Sequence, residues 1–173
     1  MIQAYIGEGK GKTTAALGLI MRATGAGWKV KLIQFDKGGD AYAYHERHSL
    51  QRLGVEVVVT GCNRQLPDGG FRFRTNEDDL AEARRGLQEA KHALVLNYRL
   101  LVLDELLTAV TYGLIPAADL HELLRSVPSE LECVVTGRVN DLALVEACHL
   151  VSRIEKVRHY FDAGQPARPG IEF

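Results

Sequence analysis

No stretch of this chain approaches the run of about 20 apolar residues that spans a bilayer, so a membrane-crossing helix is excluded. Cysteine is scarce. Cys62, Cys133 and Cys148 lie far apart and form no CxxC pair, which removes any recognisable zinc site and suits reduced thiols in a cytoplasmic protein. Charge of one sign is lacking too. With 21 Lys+Arg against 22 Asp+Glu the formal net charge is −1, so neither a generally nucleic-acid-binding surface nor one for anionic membranes is expected. A local basic pocket stays open to it. No Ser-His-Asp or Cys-His arrangement offers a nucleophile, and there are no repeats, low-complexity tracts or linkers. The chain enters a strand-like segment directly after Met1, so no targeting peptide and no preceding extension are expected. At 173 residues it reads as one domain, 1–173, with 158–173 as a C-terminal tail.

What is present is an alternation of short aliphatic runs with helical patterns. Ile2–Ile6, Lys29–Phe35, Val55–Thr60, Arg99–Asp104, Glu132–Gly137 and His149–Val157 read as strands, several solidly aliphatic, as in strands covered on both faces. Helices are expected at Lys12–Ala26, stopped by Gly25 and Gly27, and at Asn76–Leu96, capped by Thr75 or Asn76. A third is expected at Ala117–Val127 behind Pro116. Such alternation predicts a parallel sheet with helices on both faces. Two segments break it: the glycine-rich polar stretch Gly61–Thr75 and the aperiodic tail. Long structureless segments are often lids or binding loops.

The strongest motif is "GEGKGKTT", Gly7–Thr14, between the first strand and the first helix. Its glycines let backbone N–H groups turn inward on phosphate oxygens, and the helix starting near Lys12 aims its positive end at the same place. Gly7, Glu8, Gly9, Lys10, Gly11, Lys12, Thr13 and Thr14 form the expected triphosphate cradle. Lys12 and Lys10 supply cations, and Thr13 carries the hydroxyl that ligates Mg²⁺. The loop is one residue shorter than the usual phosphate-loop spelling, because the position expected for its first glycine holds Ile6.

Further motifs gain weight beside it. "LLVLDE" ends an aliphatic strand in Asp104 and Glu105, at least one of which is expected to bind metal. "TGR" places Arg138 after a buried-looking strand, where it suits a phosphate, a substrate carboxylate or a local pair with Asp141. Lys37 in "QFDKGG" reads, alone, only as part of a turn. Phe71 and Phe73 suit either closure over a flat apolar ligand or anchorage of their loop. His45 and His48 read as a solvated helix face, and Arg22 as helix-surface charge.

Together these residues resemble one family, the P-loop ATP:corrinoid adenosyltransferases. The likeness runs nearly end to end, through "GEGKGKTTAALG", "QFDKG", "GFRF", "VLDEL", "VVTGR" and "FDAGQPARPGIEF". The short loop and the closing tail carry it most specifically. The resemblance implies a RecA-like three-layer α/β fold with a mostly parallel six-stranded sheet, working as a homodimer in the cytoplasm. It implies transfer of the 5′-deoxyadenosyl group of ATP to the cobalt of a reduced corrinoid, with release of triphosphate, and a flavoprotein as possible reductant. It further implies that Lys12, Arg138 and Arg22 act catalytically, that Glu105 joins the Mg²⁺ shell with Thr13, Asp104 remaining the other candidate there, and that Phe71 and Phe73 pack beneath the corrin ring. In that family the short loop holds ATP reversed, so that the bond to be broken lies at C5′. Phe73 stands where the family often has Trp. The competing readings are a small P-loop kinase or NTPase acting at the γ-phosphate, and a non-catalytic ATP-binding module.

Overall fold

The computed structural model describes residues 1–39, 44–64, 72 and 74–173. Six strands form one parallel sheet: β1 (Ile2–Ile6), β2 (Val30–Gln34), β3 (Glu56–Val59), β4 (Leu100–Asp104), β5 (Glu132–Gly137) and β6 (Leu150–Arg153). They lie in the order β3-β2-β4-β5-β1-β6. Every pairing is parallel, so the sheet expected to be mostly parallel is wholly so. All five residues of β2 and of β4 are buried, which explains why these runs are aliphatic rather than alternating. β6 closes one edge, and its four residues are exposed.

The crossovers place helices on both faces. α1 (Lys12–Gly25) and α2 (Glu46–Arg52) cover one face through Ala16, Ile20, Ala23 and Leu50, packed over Leu32, Val102 and Val134. α3 (Glu77–Ala93), α4 (Leu106–Thr111) and α5 (Ala117–Arg125) cover the other, where Ala90, Leu107 and Leu120 meet Ile33, Leu103 and Val135. Burying one such aliphatic side chain contributes about 1.5–3 kcal/mol.

Helix ends follow local chemistry. Asn76 accepts from Asp79 N at 2.9 Å while the Asp79 carboxylate accepts from Asn76 N at 2.9 Å, a reciprocal cap worth about 1 kcal/mol. Pro116 is the residue preceding α5. α2 was anticipated only as the helix face carrying His45 and His48, and α4 was not anticipated. α4 follows directly on β4, and four of its six residues, Leu106, Leu107, Ala109 and Val110, are buried, so no polar face marks it as a helix.

Strand order fixes where function can sit. The carboxyl ends of β4, β5 and β1 are neighbours, with Ile6 opposite Gly137 and Gln34 opposite Asp104. The glycine loop, the acidic pair and the TGR turn all leave the sheet at that edge, where open α/β sheets take their ligands.

Candidate active site at the carboxyl end of the sheet

The glycine loop is shaped by its neighbour β6. Gly7 has φ of 113°, and a Cβ there would stand 2.3 Å from Ile154 O. No side chain fits. The Gly9 amide donates to the same carbonyl at 2.9 Å, so the loop is pinned to the chain leaving β6. Lys12 folds back into the loop, donating to Gly7 O at 2.8 Å and Gly9 O at 3.0 Å. Burial pulls its pKa down. Its ammonium thus waits inside the cradle.

Asp104, itself fully buried, is the centre of a polar knot. Its Oδ1 accepts from Thr136 Oγ1 at 2.7 Å and Thr13 Oγ1 at 2.9 Å, and Lys37 Nζ stands 2.5 Å from Oδ2. Burial opposes the charge on Lys37, but the adjoining Asp104 overrides it and leaves the pKa raised. A lysine that read only as part of a turn therefore joins two motif residues. Nothing in local spacing announces it, since Lys37 and Asp104 are 67 positions apart.

Glu105 adopts left-handed backbone geometry, φ 62°, which costs a non-glycine residue about 1–3 kcal/mol and concentrates at functional sites. Thr136 supports it by accepting the Glu105 amide at 2.9 Å, while the Thr108 hydroxyl donates to the Glu105 carboxylate. Thr108 in turn accepts the Arg138 amide at 2.8 Å. The Arg138 guanidinium pairs with Glu8 of the glycine loop at 3.2 Å. Asp141, the alternative partner, instead accepts from Ala143 N at 2.9 Å and caps a short 3-10 turn.

Of these groups the glycine loop, Lys37 and Glu105 border a pocket of about 550 Å³, lined also by the start of α2 and the tail residues Gly170–Phe173. Lys10 Nζ donates to Ile171 O at 2.9 Å and lies 3.5 Å from Glu172. His45 is exposed like His48, yet it lines the pocket with its ring stacked toward Phe173 at 6.5 Å. Cys133 and Cys148 are pushed up by burial to about 12 and about 11, which leaves both thiols protonated and inert at neutral pH.

Arg22 is not brought to this pocket within one chain. It sits exposed in the last turn of α1, ten residues and about 15 Å along the helix from Lys12. Phe71 and Phe73 lie outside the described residues. The ends of their loop are held by an ionic cluster that sequence reading missed. Arg72 grips Asp79 at 2.6 and 2.9 Å, and Arg64 bridges Asp36 at 3.0 Å and Asp79 at 3.6 Å.

A phosphate loop between the first strand and helix, facing an acidic strand end on an all-parallel sheet, defines a P-loop nucleotide-binding protein of the RecA-like type. The solved RadB recombinase superposes with a TM-score of 0.51 over 91% of this chain and 76% of its own, and at 18% identity that likeness is one of fold. The chain belongs to the ATP:corrinoid adenosyltransferase BtuR/CobO/CobP family, whose pattern it matches over residues 1–173. The corrinoid adenosyltransferase of Escherichia coli is 36% identical over 176 residues, covering 100% of this chain and 85% of its own. The corrinoid adenosyltransferase CobA of Salmonella typhimurium is 34% identical, and that of Pseudomonas aeruginosa 32%, with 85% and 83% of their lengths covered. The protein is accordingly a transferase. Among the described residues no helix is long and apolar enough to cross a membrane.

Proposed function

We propose that the pocket holds ATP by its triphosphate, with Gly7–Thr14 as cradle, and that adenosyl transfer to a reduced corrinoid takes place at its mouth. The observation that carries this reading is the convergence of Lys10, Lys12 and Lys37 with the loop amides on one pocket of about 550 Å³. In the transfer, Co(I) attacks C5′, the C5′–O bond breaks, and triphosphate leaves with the electron pair while cobalt becomes formally Co(III). Such a nucleophile needs no general base. The protein aligns the two centres and stabilises charge on the leaving group.

Lys12 and the loop amides meet the triphosphate directly. Thr13, Asp104 and Glu105 offer a hydroxyl and two carboxylates, hard oxygen donors of the kind Mg²⁺ takes. Among the described residues no group of three His, Cys, Asp or Glu is gathered, so these donors alone would not saturate the ion. Bound in that place, Mg²⁺ would supply charge to neutralise the triphosphate. Arg138 stands 3.2 Å from Glu8 at the loop mouth, within reach of the same charge. Phe71 and Phe73 pack beneath the corrin ring, displacing its lower ligand to leave a four-coordinate, more easily reduced cobalt. Arg22 contributes across a subunit boundary, because α1 carries it away from its own pocket. The working unit is a homodimer in the cytoplasm, with a flavoprotein as reductant.

Product analysis tests the reading. With ATP, Mg²⁺ and reduced cobalamin, the expected products are adenosylcobalamin and inorganic triphosphate. ADP as the product would mean γ-phosphate chemistry instead, and tight ATP binding without turnover would mean a binding module.

A further inference from the structure

Lys37 stands where a metal ion is expected. Its ammonium lies 2.5 Å from Asp104 Oδ2 and 3.2 Å from Thr13 Oγ1, the oxygens assigned above to the divalent cation. The contact is enclosed, with the Asp104 side chain fully buried and that of Lys37 only 13% exposed. The other carboxylate oxygen is already occupied by Thr136 and Thr13 hydroxyls. Thr13 Oγ1 also reaches Oδ2, at 3.3 Å, but among the described residues Lys37 is the cation paired with that oxygen, and a buried carboxylate without a partner is strongly destabilising.

The main chain at Lys37 is fastened on both sides. Its amide donates to Thr60 O at 2.9 Å, and its carbonyl accepts from Arg47 at 2.9 Å. The side chain is the part left to move. A divalent ion bonded to these oxygens at about 2.0–2.1 Å and an ammonium at its present distance would be two cations in near contact. They exclude one another. Lysine suits such an exchange, being a compact charge on a flexible stem, and Lys37 already lines the pocket beside Lys12.

We propose that Lys37 is the resident cation of the Asp104–Thr13 pair, that a divalent ion must displace it, and that the displaced ammonium then pairs with a phosphate in the same pocket. The proposal rests on the assignment of Asp104 and Thr13 as metal ligands. It makes Lys37 a metal surrogate in the resting enzyme and a phosphate ligand in the loaded one.

Two measurements test it without relying on turnover. In the wild type, lysine acetylation followed by mass spectrometry is expected to find Lys37 protected when metal is absent. Saturating Mg²⁺ should make it several-fold more reactive relative to Lys91, and Mg²⁺ with ATP should protect it again. In Lys37→Gln, Mn²⁺ alone, followed by electron paramagnetic resonance and thermal melting, should bind about tenfold tighter than to wild type and raise the melting temperature. The same variant should bind ATP about tenfold more weakly in saturating Mg²⁺, where the displaced ammonium would otherwise meet a phosphate. Unchanged Lys37 labelling on adding Mg²⁺ overturns the proposal, and so does equal Mn²⁺ affinity in wild type and variant. If Asp104→Asn leaves Mn²⁺ binding in the presence of ATP unaltered, the ligand assignment falls and the Lys37 proposal falls with it.

Discussion

A Cβ at Gly137 would stand 2.4 Å from the amide nitrogen of Thr108, so β5 and α4 meet backbone to backbone at the edge of the site. Gly137 also has φ of 146°, outside the range that side chains favour. This contact lets Thr108 accept the Arg138 amide while donating to Glu105. Gly137→Ala is therefore expected to cost about 1–3 kcal/mol through overpacking, with added backbone strain. Thermal melting should show the loss, and adenosyl transfer below the melting point should fall as well, because Glu105 and Arg138 shift together. A variant as stable as wild type would remove the argument.

That glycine is half legible in the sequence. "VVTGR" announces a turn after a strand, but a helix amide behind it is a tertiary fact. The six strands were legible because solid aliphatic runs carry their own signal, and α1 and α3 because glycine stops and an asparagine cap are local chemistry. α4 was not, since it is only six residues long and mostly buried. α2 showed only in the helical spacing of His45 and His48, since seven residues are too few for periodicity to set its bounds. The loop, the acidic strand end and Arg138 stood out because motif spacing survives in one dimension. Lys37 and Asp79 did not, because each gains its meaning from partners that the chain brings back only on folding.

Asp79 makes the fold sensitive to acid. The Arg72 guanidinium, with help from the Asn76 amide and Arg64, holds the Asp79 carboxyl down at about 2, against an ordinary value of 3.8. A group depressed on folding stabilises above its unfolded value and loses that contribution as pH falls through the folded one. The window is thus from about pH 4 down to about pH 2, and the contribution is about 2 kcal/mol. Melting curves across that range should fall steeply for wild type and more gently for Asp79→Asn, which is less stable at neutral pH. Parallel curves would show that Asp79 titrates alike in both states.

The tail closes one wall of the pocket through Glu172. Its carboxyl is held at about 2 by the Tyr160 hydroxyl and Arg168, and it stands 3.5 Å from Lys10 of the glycine loop. Glu172→Ala removes the partner shared by Tyr160, Arg168 and Lys10. Protease should then cleave within 164–173 several-fold faster, and ATP affinity should drop modestly as that wall loosens. Unaltered cleavage would mean that the Lys10 to Ile171 contact holds the tail without help from Glu172.

Lys12 and Phe73 should separate the two halves of the reaction. Lys12 points into the loop at 2.8 Å from Gly7 O, so Lys12→Ala removes a preorganised charge from the triphosphate site. ATP affinity should fall about a hundredfold or more, measured by calorimetry, and transfer should be lost with it. Phe73 follows Arg72, which grips Asp79 at 2.6 and 2.9 Å. Phe73→Ala should leave ATP affinity unchanged while impairing reduction of the bound corrinoid, read from the visible spectrum of the cobalt. Restoring the wider ring with Phe73→Trp should retain transfer and change the preference among corrinoids. Undiminished adenosylation by both alanine variants would sink the division of labour, because neither the charge in the loop nor the aromatic ring would then be needed for the chemistry assigned to it.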